Sequence, residues 1–173
     1  VRIVPSRETL TKIRFFGSRE SLLDRGQILL QADRGTNEPV DDAISSELAS
    51  SALEGLEDSC ALVISDYDKG VVTIEESLKL ISKANKIGIP VIVDPKLTGL
   101  EKSRGASVVI FEKRGMSLLA RRIGLDIEEA AQNMLIEYSW EGILVLGGIN
   151  GVQLYQRDSC LLYTSPSPRD SCA

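Results

Sequence analysis

The sequence predicts an α/β fold, a mainly parallel sheet with flanking helices, preceded by a small N-terminal β segment. Three observations predict it. Short apolar runs such as "ALVIS" (61–65), "VIVD" (91–94) and "GILVL" (142–146) alternate with stretches whose apolar residues recur at helical spacing. Helix start and stop signals bracket those stretches: Thr73 with Glu76, Gly88, Gly124 and Asp126. Strands that alternate with helices pair in parallel through crossovers.

The elements follow in order. "TKIRFFG" and "QILLQADR" interleave apolar and polar residues, which predicts two strands, with the polar "SRESLLDRG" between them. Pro39 punctuates "NEPVDD", and residues 41–56 carry Ile44, Leu48 and Leu53 at helical spacing. Strand 61–65 leads into "DYDKGVVT". Thr73 and Glu76 fit a capping box for a helix over 74–87 that buries Ile74, Leu78 and Ile81, with Gly88 at its left-handed end. Strand 90–93 follows, then a short crossing piece, then a third apolar strand, "ASVVIF" (106–111). "MSLLARRIG" predicts a short helix ended by Gly124. Asp126 caps a helix with the stripe Ile127, Ala130, Ala131, Met134, Leu135 and Tyr138. "GILVLGG" predicts a fourth strand and "GVQLYQ" its partner across a glycine-rich turn. Trp140 is expected to pack in the core.

The domain reading is a partial β segment at 1–38, an α/β core at 39–159, and a disordered tail at 160–173. Pro166 and Pro168 alternate with serine in that tail, and "CLLYTSPSPRD" resembles a translated sequencing-library adaptor, so 160–173 is expected to be non-native.

Composition narrows the function. The 173 residues are 43% hydrophobic and 26% charged, average for a globular chain. A net charge of −5 and a pI near 4.9 argue against a nucleic-acid partner. No apolar run approaches a membrane span, so no membrane partner is expected. The absence of histidine removes His-based triads and most zinc-hydrolase schemes. The three cysteines show neither metal-ligand spacing nor a disulfide framework, which suggests the cytoplasm, and no metal-ligating set is predicted.

Successive parallel strands present their C-terminal ends on one sheet edge, where ligands of open α/β sheets bind. Asp66–Lys69 and Asp94–Lys96 each follow a strand and should therefore face one crevice. A carboxylate can accept from sugar hydroxyls or hold a hydrated Mg²⁺, and an ammonium suits phosphate. Two such pairs suit a phosphorylated polyol; solvated loop charges are the alternative. Glycines of "LGGING" (146–151) could bring backbone N–H groups to a phosphate or simply make a hairpin turn. Lys12 and Arg14 share one face of a strand, as anion contacts or as the wet face of a sheet.

In this order, "ISDYDKGVVT", "IPVIVDPK", "RGASVVI" and "ILVLGGINGVQLY" resemble the ribokinase-like (PfkB-type) carbohydrate kinases, and most of all the heptose 7-phosphate kinase domain of ADP-heptose synthesis. "TKIRFF" and "QILLQADR" resemble that family's lid, and the likeness covers most of residues 8–157. The resemblance implies a partial ribokinase-like fold and transfer of phosphate from ATP, with Mg²⁺, to the anomeric hydroxyl of a heptose 7-phosphate. It implies substrate-binding roles for Lys12, Arg14, Asp66, Lys69, Asp94 and Lys96. Glu112, Lys113, Arg114 and Gly115, where the family has Asn-x-x-Glu, would lie with Gly148 and Gly151 near the nucleotide. A homodimer through the lid is also implied.

The chain departs from the family's pattern. Phe111-Glu112 replaces Pro-Asn, Gly115 replaces the acidic end of the motif, and Leu146 stands where threonine is usual. The family's catalytic aspartate sits in a Gly-Ala-Gly-Asp motif that this sequence does not contain, so no catalytic residue is assigned and the chain is expected to be a truncated piece, inactive alone. The alternatives are a degenerate binder of sugar phosphate or nucleotide, a related kinase for another sugar or a nucleoside, and a generic α/β domain.

Overall fold

The computed structural model describes residues 7–17, 27–36, 38–147, 151–157 and 159–163. The chain forms two compact units, Val1–Glu38 and Pro39–Ala173.

In the first unit, β1 (Thr11–Gly17) and β2 (Gln27–Arg34) form an antiparallel ribbon in which Lys12 faces Asp33 and Arg14 faces Gln31. A register shift between Phe15 and Phe16 interrupts the ladder. Two strands alone cannot cover both of their faces, and Phe15, Phe16, Leu29 and Leu30 are all exposed.

The second unit is a sheet in the order β3-β4-β5-β6-β7-β8. β3 (Leu62–Ser65), β4 (Val91–Asp94), β5 (Val108–Glu112) and β6 (Gly142–Leu146) run parallel; β7 (Val152–Gln156) and β8 (Ser159–Tyr163) add antiparallel strands. Register puts Leu62, Ile64, Val91, Val93, Val109, Phe111, Ile143, Val145 and Tyr155 on the buried side. Residues facing the other way are partly or wholly exposed, Val63 at 65% and Leu161 at 60%.

The helices are α1 (Asp42–Gly55), α2 (Ile74–Ile87), α3 (Lys113–Ile123) and α4 (Ile127–Glu137). Thr73 caps α2 by accepting from the Glu76 N–H at 3.2 Å. The expected return bond is not made: the Glu76 carboxylate instead accepts from Ser46 and pairs with Lys79. Ile74, expected in the core, is half exposed: it shares the face of Ser77, Ile81 and Ala84 but opens the helix, one turn before the buried side begins. Asp126 and Glu129 complete a full capping box on α4. Gly88 and Gly124 end α2 and α3 at φ of 77° and 72°, the left-handed position that glycine adopts without strain.

Trp140 is fully buried, stacked on Tyr138 at 4.7 Å and tilted against Phe111. One expectation is corrected outright. Cys160–Tyr163 are not disordered: they pair along β7, where alternating β-compatible side chains meet an open ladder. Residues 164–173 lie outside the described residues.

Candidate functional site

The four parallel strands deliver their C-terminal ends to one edge. Ser65 stands opposite Asp94, and Glu112 opposite Leu146. The ladder continues one residue past β3, with the Asp66 N–H donating to the Asp94 carbonyl at 3.1 Å. The two Asp–Lys segments are therefore neighbours, as parallel pairing requires.

Asp66 is buried at the strand exit, only 5% exposed. One carboxylate oxygen, Oδ1, accepts from the Asp68 N–H at 2.9 Å, an Asx turn that folds 66–68 back on itself. Asp68 takes φ 53° and Gly70 φ 71°. An aspartate tolerates that left-handed conformation better than most residues because its short polar side chain bonds locally. The other oxygen, Oδ2, takes the Lys102 ammonium at 2.7 Å, and the same ammonium lies 3.4 Å from Asp68 Oδ1. Thr98 donates to Asp68 Oδ2 at 2.7 Å. That bond first, and Lys102 second, hold the Asp68 carboxyl below its ordinary value.

Lys102, Thr98, Asp68 and Tyr67 were not among the site residues expected from sequence. Lys102 arrives on one turn of 3₁₀ helix, Leu100–Ser103, too short to leave a periodic signal. Asp94 and Lys96 are exposed beside the cluster. The Lys96 ammonium lies 5.3 Å from the centroid of the exposed Tyr67 ring, a cation–π contact at the mouth of the turn. Lys69 follows Asp68 and is partly buried.

Further along the edge, Glu112 ends β5 and is the N-cap of α3, which starts at Lys113, earlier than "MSLLARRIG" suggested. Glu112, Lys113 and Arg114 are exposed. The first-turn N–H groups of a helix and two cations suit anionic phosphate oxygens. Gly115 sits against Leu97, whose Cδ2 would lie 3.6 Å from an added Cβ. Beyond β6, the Gly147 N–H donates to the Gly151 carbonyl at 2.8 Å, and Gly151 has φ 84°, so the chain reverses into a hairpin between β6 and β7. Gly148 lies outside the described residues. In the first unit, Lys12 and Arg14 occupy the same face of the ribbon, and Arg14 Nε donates to Gln31 Oε1 at 3.3 Å. Among the described residues no group of three or more acidic, cysteine or histidine side chains could hold a metal ion unaided.

Comparison with known proteins adds an independent line. No family model matches the chain. The bifunctional protein HldE of Paramagnetospirillum magneticum is 32% identical over 160 residues, 90% of this chain and 31% of that protein. Among solved structures, ribokinase of Thermotoga maritima superposes with a TM-score of 0.57 at 17% identity, covering 91% of this chain and 49% of that one. Phosphofructokinase-2 of Escherichia coli in complex with fructose-6-phosphate gives 0.55 at 21% identity, over 79% and 48%. The chain has the ribokinase-like fold and is similar in sequence to the HldE proteins. It spans about a third of the length of the HldE relatives and about half of the solved structures.

Asp66, Lys69, Asp94 and Lys96 all lie at the shared edge where β3 and β4 end. The α3 entrance is built differently. Gly115 offers no side chain to a metal-bound water, and Glu112 is the one carboxylate at that N-terminus.

Proposed function

We propose that this chain is part of an ATP-dependent sugar-phosphate kinase that converts a heptose 7-phosphate to the 1,7-bisphosphate. The observation that carries the reading is the common edge. It brings two carboxylate–ammonium segments into adjacent strand exits and sets the cationic entrance of α3 on the same side of the sheet. The likeness to HldE favours the heptose substrate.

Phosphoryl transfer of this type is mostly positioning and charge neutralisation. Asp66 and Asp94 would accept from sugar hydroxyls, Lys69 and Lys96 would face the sugar phosphate, and Lys113 and Arg114 the nucleotide phosphates. Exposed cations beside a helix N-terminus fit a nucleotide. One exposed carboxylate, Glu112, fits Mg²⁺ held mainly by phosphate oxygens and water, which would offset the charge on the phosphates. The anomeric oxygen takes the γ-phosphoryl group, ADP leaves, and the hydroxyl proton passes to a base. This chain has no Gly-Ala-Gly-Asp to supply that base, so by itself it should bind without transferring.

The test is calorimetric titration of the chain with D-glycero-D-manno-heptose 7-phosphate and with a non-hydrolysable ATP analogue. Heptose phosphate binding that weakens about tenfold in Lys69→Ala and Lys96→Ala supports the reading, as expected for loss of charge-assisted contacts. Unchanged affinity in both variants sinks it, and ATP turnover by this chain sinks the expectation of inactivity. Gly115 motivates a second reading, a binder of sugar phosphate that transfers nothing. The exposed apolar ribbon of the first unit supports a homodimer formed through it, which sedimentation would test.

A further inference from the structure

We infer that Lys102 is a positioning residue of this site: its ammonium holds the Asp66–Asp68 turn in the shape that receives the sugar phosphate. The inference rests on the sugar-phosphate reading for its ligand, and on the geometry alone for the turn.

The argument begins with burial. The Asp66 side chain is 3% exposed, and a carboxylate taken that far out of water must be compensated. Its compensation is specific: one oxygen takes the Asp68 N–H, the other takes Lys102. Lysine rarely withdraws its ammonium from solvent, yet the Lys102 side chain is only 12% exposed. It bridges both carboxylates of the turn, and Thr98 completes the second.

A long side chain can do this reproducibly only if its backbone is held. The Leu100–Ser103 turn is held from several directions. Ser77 of α2, fully buried, donates to the Lys102 carbonyl itself. The indole N–H of Trp140 donates to the Ser103 carbonyl at 2.8 Å, and the Ser103 hydroxyl to the Leu100 carbonyl at 2.6 Å. Immediately after, Arg104 reaches the Glu137 carbonyl and Asn85 the Gly105 carbonyl. Two elements, α2 and the segment entering β6, thus bond to the backbone of a four-residue helix, and α4 is tied to Arg104 just after it.

What the ammonium holds is a strained, functional stretch. Asp68 sits at φ 53°, a conformation that persists only when its surroundings over-determine it. Tyr67, exposed with Lys96 over its ring, and Lys69 flank it. The direction of the Asp66 carboxylate and the placement of these neighbours therefore depend on one cation that does not itself need to touch the ligand.

The test compares Lys102→Met, which keeps the stem, Lys102→Arg, which keeps the charge, and Leu135→Ala, a fully buried α4 position that lowers stability away from the edge. Each 173-residue chain is titrated with D-glycero-D-manno-heptose 7-phosphate, and amide exchange is followed at Asp68 and Lys69. The expected result has three parts. Lys102→Met binds at least tenfold more weakly and exchanges at least tenfold faster at those two amides. Lys102→Arg recovers most of both. Leu135→Ala melts lower but binds like the parent. Parent-like affinity in Lys102→Met overturns the inference, as does equal loss in Leu135→Ala. If the parent chain itself does not bind the heptose phosphate, the sugar-phosphate reading has failed. The exchange data then decide the role of Lys102 in the turn, unchanged rates refuting it.

Discussion

Replacing Trp140 with phenylalanine should destabilise the second unit by an amount the structure lets one work out. The indole is fully buried between Tyr138 and Phe111, and its N–H meets the Ser103 carbonyl at 2.8 Å. Phenylalanine removes that donor. The Ser103 carbonyl keeps the Ala106 N–H at 3.0 Å, so losing the indole donor costs roughly 0.5–1.5 kcal/mol. The lost carbons of the larger ring add about 1.5 kcal/mol at ~0.8 kcal/mol per methylene-sized group. The sum is about 2–3 kcal/mol, which lowers the melting temperature by roughly 5–10 °C for a chain of this size. Urea titration followed by far-ultraviolet circular dichroism measures it, and circular dichroism is needed because Trp140 is the one tryptophan in the sequence. A loss below about 1 kcal/mol would refute the claim that this hydrogen bond ties the Leu100–Ser103 turn to the core.

Asp126→Ala breaks both halves of the α4 capping box and should cost about 1 kcal/mol in the same urea titration; an unchanged midpoint would count against the cap. Thr98→Ala removes the main cause of the lowered Asp68 pKa, so the carboxyl should titrate nearer its ordinary value, which carbon-detected NMR would show. A depressed carboxyl stabilises the fold above its unfolded pKa, and that contribution is lost as pH falls through the folded value. Thr98→Ala should therefore be the less stable chain at neutral pH and converge with the parent in acid. Gly115→Glu should fold with a gain of about 0.5–1 kcal/mol, since glycine is a poor helix former and an acid suits the first turn. The added Cβ meets Leu97 at an ordinary 3.6 Å, so a lower melting temperature would mean the α3 entrance is tighter than its geometry indicates.

Much of the fold was legible because periodicity and caps carry it. The strand exits at Asp66 and Asp94, the left-handed glycines 88 and 124, and the Asp126 cap each follow from local chemistry. What was not legible was decided at a distance. Ile74 has core spacing with Ser77 and Ile81, but it is the first residue of α2 and lies where the buried side of the helix has not yet begun. Glu76 had the right spacing for a capping box, yet Ser46 and Lys79 compete for its carboxylate. Asp66 was visible as a site residue and its partner was not. Lys102 lies 36 positions along the chain on a single helical turn, and no spacing rule connects them.

The two ends of the candidate site handle charge differently, and that difference has a functional consequence. At the β3 exit the charges are paired within the protein: Asp66, Asp68, Thr98 and Lys102 form one hydrogen-bonded network, with Asp66 and Lys102 buried and Asp68 and Thr98 at its exposed rim. Groups fixed in advance need little ordering when a ligand arrives, so that end can discriminate among hydroxyl patterns. At the α3 entrance Glu112, Lys113 and Arg114 are exposed and hydrated. Cations of that kind lose side-chain freedom on binding and are screened by salt, so they attract an anion without defining its shape. On the sugar-phosphate proposal, selectivity for the sugar would rest on the turn that Lys102 holds, and attraction for a polyphosphate on the head of α3. Raising the ionic strength should weaken nucleotide binding through Lys113 and Arg114 and sugar-phosphate binding through the exposed Lys96, while leaving the buried Asp66–Lys102 pair little screened.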